Sequence, residues 1–460
     1  MALTGLHTNW KYGSYEKDRN EEIKAFENPL LKSGGSYGLT AYYDGSIAIG
    51  YGFDLLVRNN SEINSYLAAI GLGALSTLDA QLLDQARAQR DTGTATQASL
   101  TAIKDQLSLN LGTEPTAEAL LNKYILDRAE PDLDAWLNGL GLSLPQSQER
   151  AALVSLAYNN PALLGDALGR AMVAGDRAEA FYEIAYNSNG GASRSPGIAN
   201  RRYREADLFG MYNTSPTEAD YKAAYRMFTR HKETILGADL ALGGTDGYED
   251  KFPPPEAGMS IFWQLKAARD YLLPLYDQGV AIAWSNIQVG EDASTSYYRG
   301  TDIDFLIGND TNPSFANELI FGESGNDILQ GGLGQDVLYG GTGVDIYRYR
   351  PNDGADIIID SSSATNDSGG DGKGAILYDP DGTPQILAVG TRQAQSDGSY
   401  TGPWQSLDQT ITYTLNGNDL TITTPGGTIT VKDFNRANND LNIRLIDLPV
   451  EPPAALRLAA

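Results

Sequence analysis

The sequence predicts a multidomain α+β chain. A mostly α-helical first domain with a small β-hairpin lobe is expected over 1–212 and a helical connector over 213–290. A stack of short strands follows over 291–365, then a β-hairpin flank over 366–460. Three observations predict this. Apolar residues keep helical spacing through most of the first half. A nine-residue motif then repeats without a gap from Gly322 to Arg348. Beyond it, apolar residues alternate with threonines around Asn416-Gly417 and Gly426-Gly427. At 460 residues the chain exceeds one ordinary core.

Composition narrows the function. The formal charge is −25, which argues against nucleic acid, since phosphate binding needs a basic footprint, and for cations. There is no cysteine, so disulfides, thiolate metal sites and cysteine nucleophiles are excluded. His7 and His231 are the two histidines, too far apart in the sequence for an H-E-x-x-H zinc site. No apolar run is long enough to span a bilayer, and the start, MALTGLHTNWKYG, lacks the basic and apolar regions of a secretory signal. A protein that leaves the cell with such a start uses a route that does not read the N-terminus.

The stretch Ile23–Leu55 carries the expected chemistry. Ile23, Phe26, Leu30 and Leu31 recur near helical spacing, Asn20 is placed to cap the helix, and Pro29 with Gly34-Gly35 ends it. Glu27 then lies near the helix C-terminus, where the last carbonyls and apolar neighbours disfavour the carboxylate and raise its pKa, as a general acid requires. Tyr42 to Gly52 reads as a tight hairpin whose glycines allow close backbone approach. It brings Asp44 and Asp54 towards Glu27.

In the order Glu27, then Tyr42-Tyr43-Asp44, then Ala48-Ile49-Gly50-Tyr51-Gly52, the stretch resembles the phage-type lysozymes, a muramidase family of endolysins. Asp54, two residues after the second glycine, matches the pesticin-like bacteriocin branch. The likeness continues through Ala151–Tyr158 and Gly197-Ile198-Ala199-Asn200-Arg201-Arg202 with Glu205, and covers roughly 1–212. It implies a lysozyme-like fold acting on peptidoglycan, with Glu27 as acid, Asp54 or Asp44 positioning water, and Tyr43, Tyr51 and Arg201 as substrate contacts. By the residues alone, Arg201, Arg202 and Arg204 read as ion pairs between helices in preference to contacts with a substrate carboxylate. Where the family has a threonine that helps hold water, this chain has Ala48.

Between Glu62 and Leu144 the apolar residues are mostly core, including Ala119, Leu120, Tyr124, Leu126 and Ala129. Pro145 opens a further helix with Ala152, Leu153, Leu156 and Ala157 on one buried stripe. Ser215-Pro216-Thr217-Glu218 reads as a capping box for a helix bearing Tyr221, Ala224, Tyr225 and Phe228. Ile261 to Leu272 forms another helix, ended by Pro274. The connector carries no chemical motif.

The repeat is the clearest signal. Gly322–Gln330, Gly331–Tyr339 and Gly340–Arg348 each give a glycine-rich turn, an aspartate at position six (Asp327, Asp336, Asp345) and an apolar residue at position eight. Two degenerate copies precede them, with Asp304 and Glu318 in the ligand position and Asp310 in the loop between. Stacked turns gather aspartates and carbonyls into oxygen cages suited to calcium. The copies resemble the RTX nonapeptides of calcium-binding proteins exported by bacterial type I secretion. That resemblance implies a parallel β-roll with bound calcium and an uncleaved C-terminal export signal; Asp353, Asp356 and Asp360 look like its closing flank.

Together these readings describe a secreted, extracellular bacterial muramidase with calcium as cofactor. Its expected partners are peptidoglycan, the type I secretion machinery and, for an antibacterial toxin, an immunity protein. A lytic transglycosylase and a non-catalytic, calcium-dependent wall-binding protein are the alternatives. Inverting hydrolysis requires carboxyls roughly 6.5–9.5 Å apart.

Overall fold

The computed structural model describes residues 3–27, 37–41, 45–188, 196–241, 261–291, 303–308, 317–360 and 373–450. Tyr43, Asp44 and Asp310 lie outside the described residues. The chain divides into two compact units, Met1–Ser215 and Pro216–Ala460.

In the first unit, α1 (Tyr15–Glu27) opens at Ser14, whose hydroxyl accepts the Lys17 N–H at 3.3 Å. Asn20, the expected cap, is therefore inside the helix. An antiparallel sheet follows in the order β1 (Leu39–Ala41), β2 (Ile47–Ile49), β3 (Phe53–Asp54). Its second turn needs glycine, because Gly50 and Gly52 sit at φ +59° and +84°. The helices α2 (Asn60–Ala69), α3 (Thr77–Asp91) and α4 (Gln97–Lys104) are each capped by a side chain, from Asn59, Ser76 and Thr96.

A π-helical turn over Ile125–Ala129 joins α5 (Glu114–Tyr124) to α6 (Glu130–Gly139). The wider turn rotates the buried face: Ile125 is inside, whereas Leu126, expected in the core, is 53% exposed. The next helix, α7 (Gln148–Asn159), is capped by Ser147 rather than opened by Pro145, and it is buried on every side from Ala151 to Tyr158 rather than along one stripe. It is the central element of the unit. Around it run α8 (Asp166–Ala174), α9 (Arg177–Tyr182) and α10 (Pro196–Phe209), with α1 and α10 packed directly against it. Glu149 of α7, fully buried, ties down the N-terminal segment, with His7 Nδ1 and Arg177 Nη1 each 2.8 Å from Oε1.

The second unit begins with α11 (Glu218–Ala241). Its capping box lies two residues beyond the expected one, since the Thr217 N–H and hydroxyl both donate to Asp220 at 2.7 Å. In α12 (Ile261–Tyr276) the helix runs through Pro274, which sits in the last turn and forfeits a single helical hydrogen bond there. Among the described residues no helix is long and apolar enough to cross a membrane.

The strands β4 (Ile287–Val289), β5 (Phe305–Ile307), β6 (Leu319–Phe321), β7 (Ile328–Gln330), β8 (Val337–Tyr339), β9 (Ile346–Tyr349), β10 (Ala355–Ile359) and β11 (Ala375–Tyr378) form a parallel roll. Even-numbered strands pair in one sheet and odd-numbered strands in the other. One coil therefore takes two nonapeptides, and the Asp327 N–H reaches Asp345, 18 residues on. Position eight of each copy, Leu329, Leu338 and Tyr347, fills the interior. The flank comprises β12 (Gln385–Ile386), β13 (Val389–Gln393), β14 (Trp404–Gln405), β15 (Thr412–Asn416), β16 (Asp419–Thr424), β17 (Gly427–Val431) and β18 (Arg444–Leu448). Strands β15, β16 and β17 are joined by the two expected hairpin turns, and β17 pairs in parallel with β10, so the flank covers what would be an open sheet edge.

The helix α11 packs against β4 at the start of the roll. Lys222, Arg226 and Arg230 recur one turn apart along it. Lys222 Nζ lies 2.7 Å and Arg226 Nη2 3.1 Å from the two oxygens of Glu323, and Arg230 makes a two-pronged pair with Glu291 at 2.7 and 2.5 Å. Arg226 also donates to the Gly290 carbonyl at 2.5 Å. Glu323 occupies a slot that is glycine in the next two copies, and it holds φ +76° there. Backbone strain is accepted to place a carboxylate under α11.

Candidate functional site

Two sets of carboxylates stand out, one in each unit. In the first unit Glu27 is the last described residue of α1, and its side chain is 16% exposed. Arg201 Nη1, from α10, lies 2.5 Å from its Oε1. A methyl group added at Gly52 would sit 2.5 Å from Oε2, so the β2–β3 turn presses against the carboxyl as only glycine can. Burial pushes the Glu27 pKa above the usual carboxylate value, outweighing the opposing pull of Arg201, and Glu205 adds to the rise.

Asp54 ends β3, and its side chain accepts the Leu56 N–H at 2.7 Å. Its pKa is also raised by burial, against that N–H and the Arg58 charge. Across the sheet its direct partner is Ala48, so the Ala48 methyl faces the same side as the Asp54 carboxyl. The hydroxyl of Tyr158 donates to the Tyr51 carbonyl at 2.5 Å and fixes the turn between them.

Two expected substrate contacts are placed differently. The ring of Tyr51 is buried, with its hydroxyl 3.2 Å from Glu114 and Lys24 over its face at 5.6 Å. Arg201 is buried as well. Its guanidinium serves Glu27, Glu205 at 2.9 Å and the Ser155 carbonyl at 3.2 Å, which occupies the fork that a substrate carboxylate would need. The ion-pair reading of Arg201 thus describes its contacts.

In the second unit the repeat acids form two ladders along the roll. In one, the Asp304 N–H donates to Asp327 at 2.7 Å and the Asp327 N–H to Asp345 at 3.0 Å. In the other, Glu318 donates to Asp336 at 2.7 Å and Asp336 to Asp356 at 3.1 Å. Asp360 accepts the Tyr347 hydroxyl at 3.1 Å beside the first ladder. Asp353 instead accepts the Arg350 N–H at 2.7 Å and closes its own turn.

Asp327, Asp336, Asp345 and Asp356 each spend one oxygen on the neighbouring coil, and Asp304 spends one on the Glu291 N–H. The other oxygens of Asp336 and Asp345 are buried and have no hydrogen-bond partner among the described residues. Carbonyls crowd the same places: a methyl added at Gly290 would lie 2.6 Å from Asp304 Oδ2 and 2.7 Å from the Gly322 carbonyl, and one at Gly322 would lie 2.7 Å from Asp327 Oδ2. These are hard oxygen donors on both sides of a gap that glycine keeps open, a set that fits calcium. Among the described residues no three acidic or histidine side chains converge on one point. That follows from the repeat, which supplies one carboxylate per copy and leaves the remaining ligands to backbone carbonyls. Without a cation the arrangement is costly. Burial, then the Asp356 charge, pushes Asp336 up to about 10, and burial, then Asp360, pushes Asp345 up to about 6.

Residues 314–347 match the family model for the RTX calcium-binding nonapeptide repeat, in four copies. This segment is an RTX repeat region and binds calcium. No curated protein matches the chain. Among solved structures, the crystal structure of extracellular lipase LipA from Serratia marcescens is similar to 32% of this chain at 16% identity, with a TM-score of 0.16. The likeness spans 20% of the lipase's length.

Proposed function

We propose that residues 1–212 form a secreted muramidase that cleaves the β-1,4 bond between N-acetylmuramic acid and N-acetylglucosamine in peptidoglycan. The calcium-binding half serves export through a type I machinery and folding outside the cell. The observation that carries this reading is Glu27, a helix-terminal carboxyl pressed against a glycine turn, whose pKa burial raises in spite of its arginine. In this reading Glu27 gives its proton to the leaving glycosidic oxygen, and Asp54 takes a proton from water on the opposite sugar face. Arg201 orients Glu27 rather than the substrate.

One observation favours a second reading. The methyl of Ala48 faces the side where water must be held, which suits a lytic transglycosylase that closes a 1,6-anhydro ring without water.

The test is wall lysis by the calcium-loaded protein with product analysis. Glu27→Gln keeps size but removes the proton donor, and lysis is expected to fall by roughly 10²–10⁴-fold. A new reducing end identifies the hydrolase and a 1,6-anhydro end the transglycosylase. Full lysis by Glu27→Gln would overturn both.

A further inference from the structure

Arg201 has a second carboxylate behind it. Glu205, one helical turn further along α10, is 1% exposed. Its Oε1 accepts Arg201 Nε at 2.9 Å and the Ser155 hydroxyl at 2.6 Å, and its Oε2 accepts from Arg202, which Asn159 also holds. Two guanidinium ions and two carboxylates thus share one buried site, and only Glu27 reaches its edge. We propose that Glu205 is a positioning residue for Glu27: it holds Arg201 from the far side and shares its charge, so that the arginine orients the Glu27 carboxyl without claiming it wholly as an ion pair. The proposal rests on the muramidase reading for its purpose, but not for its electrostatics.

The other groups facing Glu27 leave this role to α10. On α7, Tyr158 is a buried neutral phenol already donating to a carbonyl. The β2–β3 turn presents Gly52, which carries no charge. On α1, Lys24 pairs with Glu21 and with Glu118 of α5, and Glu22 lies 3.4 Å from Arg204. What remains is Arg201, Arg202 and Glu205. If the Glu205 charge is removed, two arginines act on Glu27 alone, and the carboxyl gives up its proton at lower pH.

The experiment follows the Glu27 carboxyl by ¹³C NMR titration in the full-length, calcium-loaded protein, beside the pH profile of wall lysis. Glu205→Gln is expected to lower the Glu27 midpoint by about one unit, leaving about tenfold less protonated acid at a given pH above it. The high-pH limb of lysis should move down by the same amount. Ser155→Ala leaves Glu205 Oε1 to Arg201 alone, which outweighs the loss of the long 3.4 Å contact between Arg201 Nη2 and the Ser155 hydroxyl, and is expected to move the midpoint upward. A merely structural Glu205 would change thermal stability and leave both titrations in place, which overturns the proposal. If Glu205→Gln does not fold, Ser155→Ala decides: an upward shift supports the role and an unmoved midpoint overturns it. Midpoints that shift as expected in a protein that lyses no wall would uphold the electrostatics while refuting the muramidase reading.

Discussion

Stripping calcium from the full-length protein is expected to unfold the roll at neutral pH and to let it recover structure as the pH falls. Burial pushes the carboxyl of Asp345, which is fully buried, up to about 6 in the folded chain, against about 3.9 for an ordinary aspartate. An acid whose folded pKa is raised binds its proton more tightly when folded. Its folded form is unpenalised below about pH 4, and it loses stability as the pH climbs from there to about 6. Two units correspond to roughly 3 kcal/mol, against a total stability of about 5–15 kcal/mol for a typical domain. Asp336, pushed to about 10, extends the loss to higher pH, and Asp356 is raised as well; the two interact, so their costs do not simply add. Calcium removes this penalty by taking the place of the protons. Far-ultraviolet circular dichroism in chelator from pH 4.5 to 7.5 reads it, with the helical signal of the first unit as an internal constant. A β signal that is unchanged across this range, or that grows with pH, would refute the reasoning.

Four further outcomes are expected. Wall lysis should follow a bell-shaped pH profile, falling at high pH as Glu27 loses its proton and at low pH as Asp54 gains one; because burial raises both pKa values, the bell should sit above the ordinary carboxylate range. Gly52→Ala should cost about 1–2 kcal/mol for the left-handed backbone alone and should displace Glu27, so denaturant midpoint and lysis fall together. Ala48→Thr should increase hydrolysis, measured as new reducing ends, by setting a hydroxyl on the strand position opposite Asp54. Glu323→Gly relieves backbone strain of about 1–2 kcal/mol but strips Lys222 and the buried Arg226 of charged hydrogen bonds worth about 1.5–3 kcal/mol each, so a net loss of α11 stability is expected by chemical denaturation.

The roll was legible because its sequence repeats its physics: each copy places glycine, aspartate and an inward residue at fixed offsets, and Leu329, Leu338 and Tyr347 fill the interior as position eight implies. The hairpin turns at Asn416-Gly417 and Gly426-Gly427 were equally plain, since turn chemistry is local. What stayed hidden depends on distant partners. Lys222, Arg226 and Arg230 look like ordinary surface charges until Glu291 and Glu323 are brought beneath them; a basic stripe at every fourth position in so acidic a chain was the available signal. Leu126 was misplaced because a π-helical turn shifts the helical phase, which apolar spacing alone does not reveal. For Glu27 the helix end and the glycine turn were readable, whereas the buried pairing of Arg201 with Glu205 needed the packing of α7 against α10.

Alternation between two sheets gives the roll a parity. Deleting one nonapeptide, such as 331–339, would send every later strand to the opposite sheet, and the strand that now meets β17 would no longer lie beside it. Deleting two in succession would shorten the stack by a full coil and leave each downstream neighbour where it was. Gain and loss of repeats in this chain are therefore tolerated in even numbers, a rule set by sheet geometry and independent of how much calcium any single copy holds.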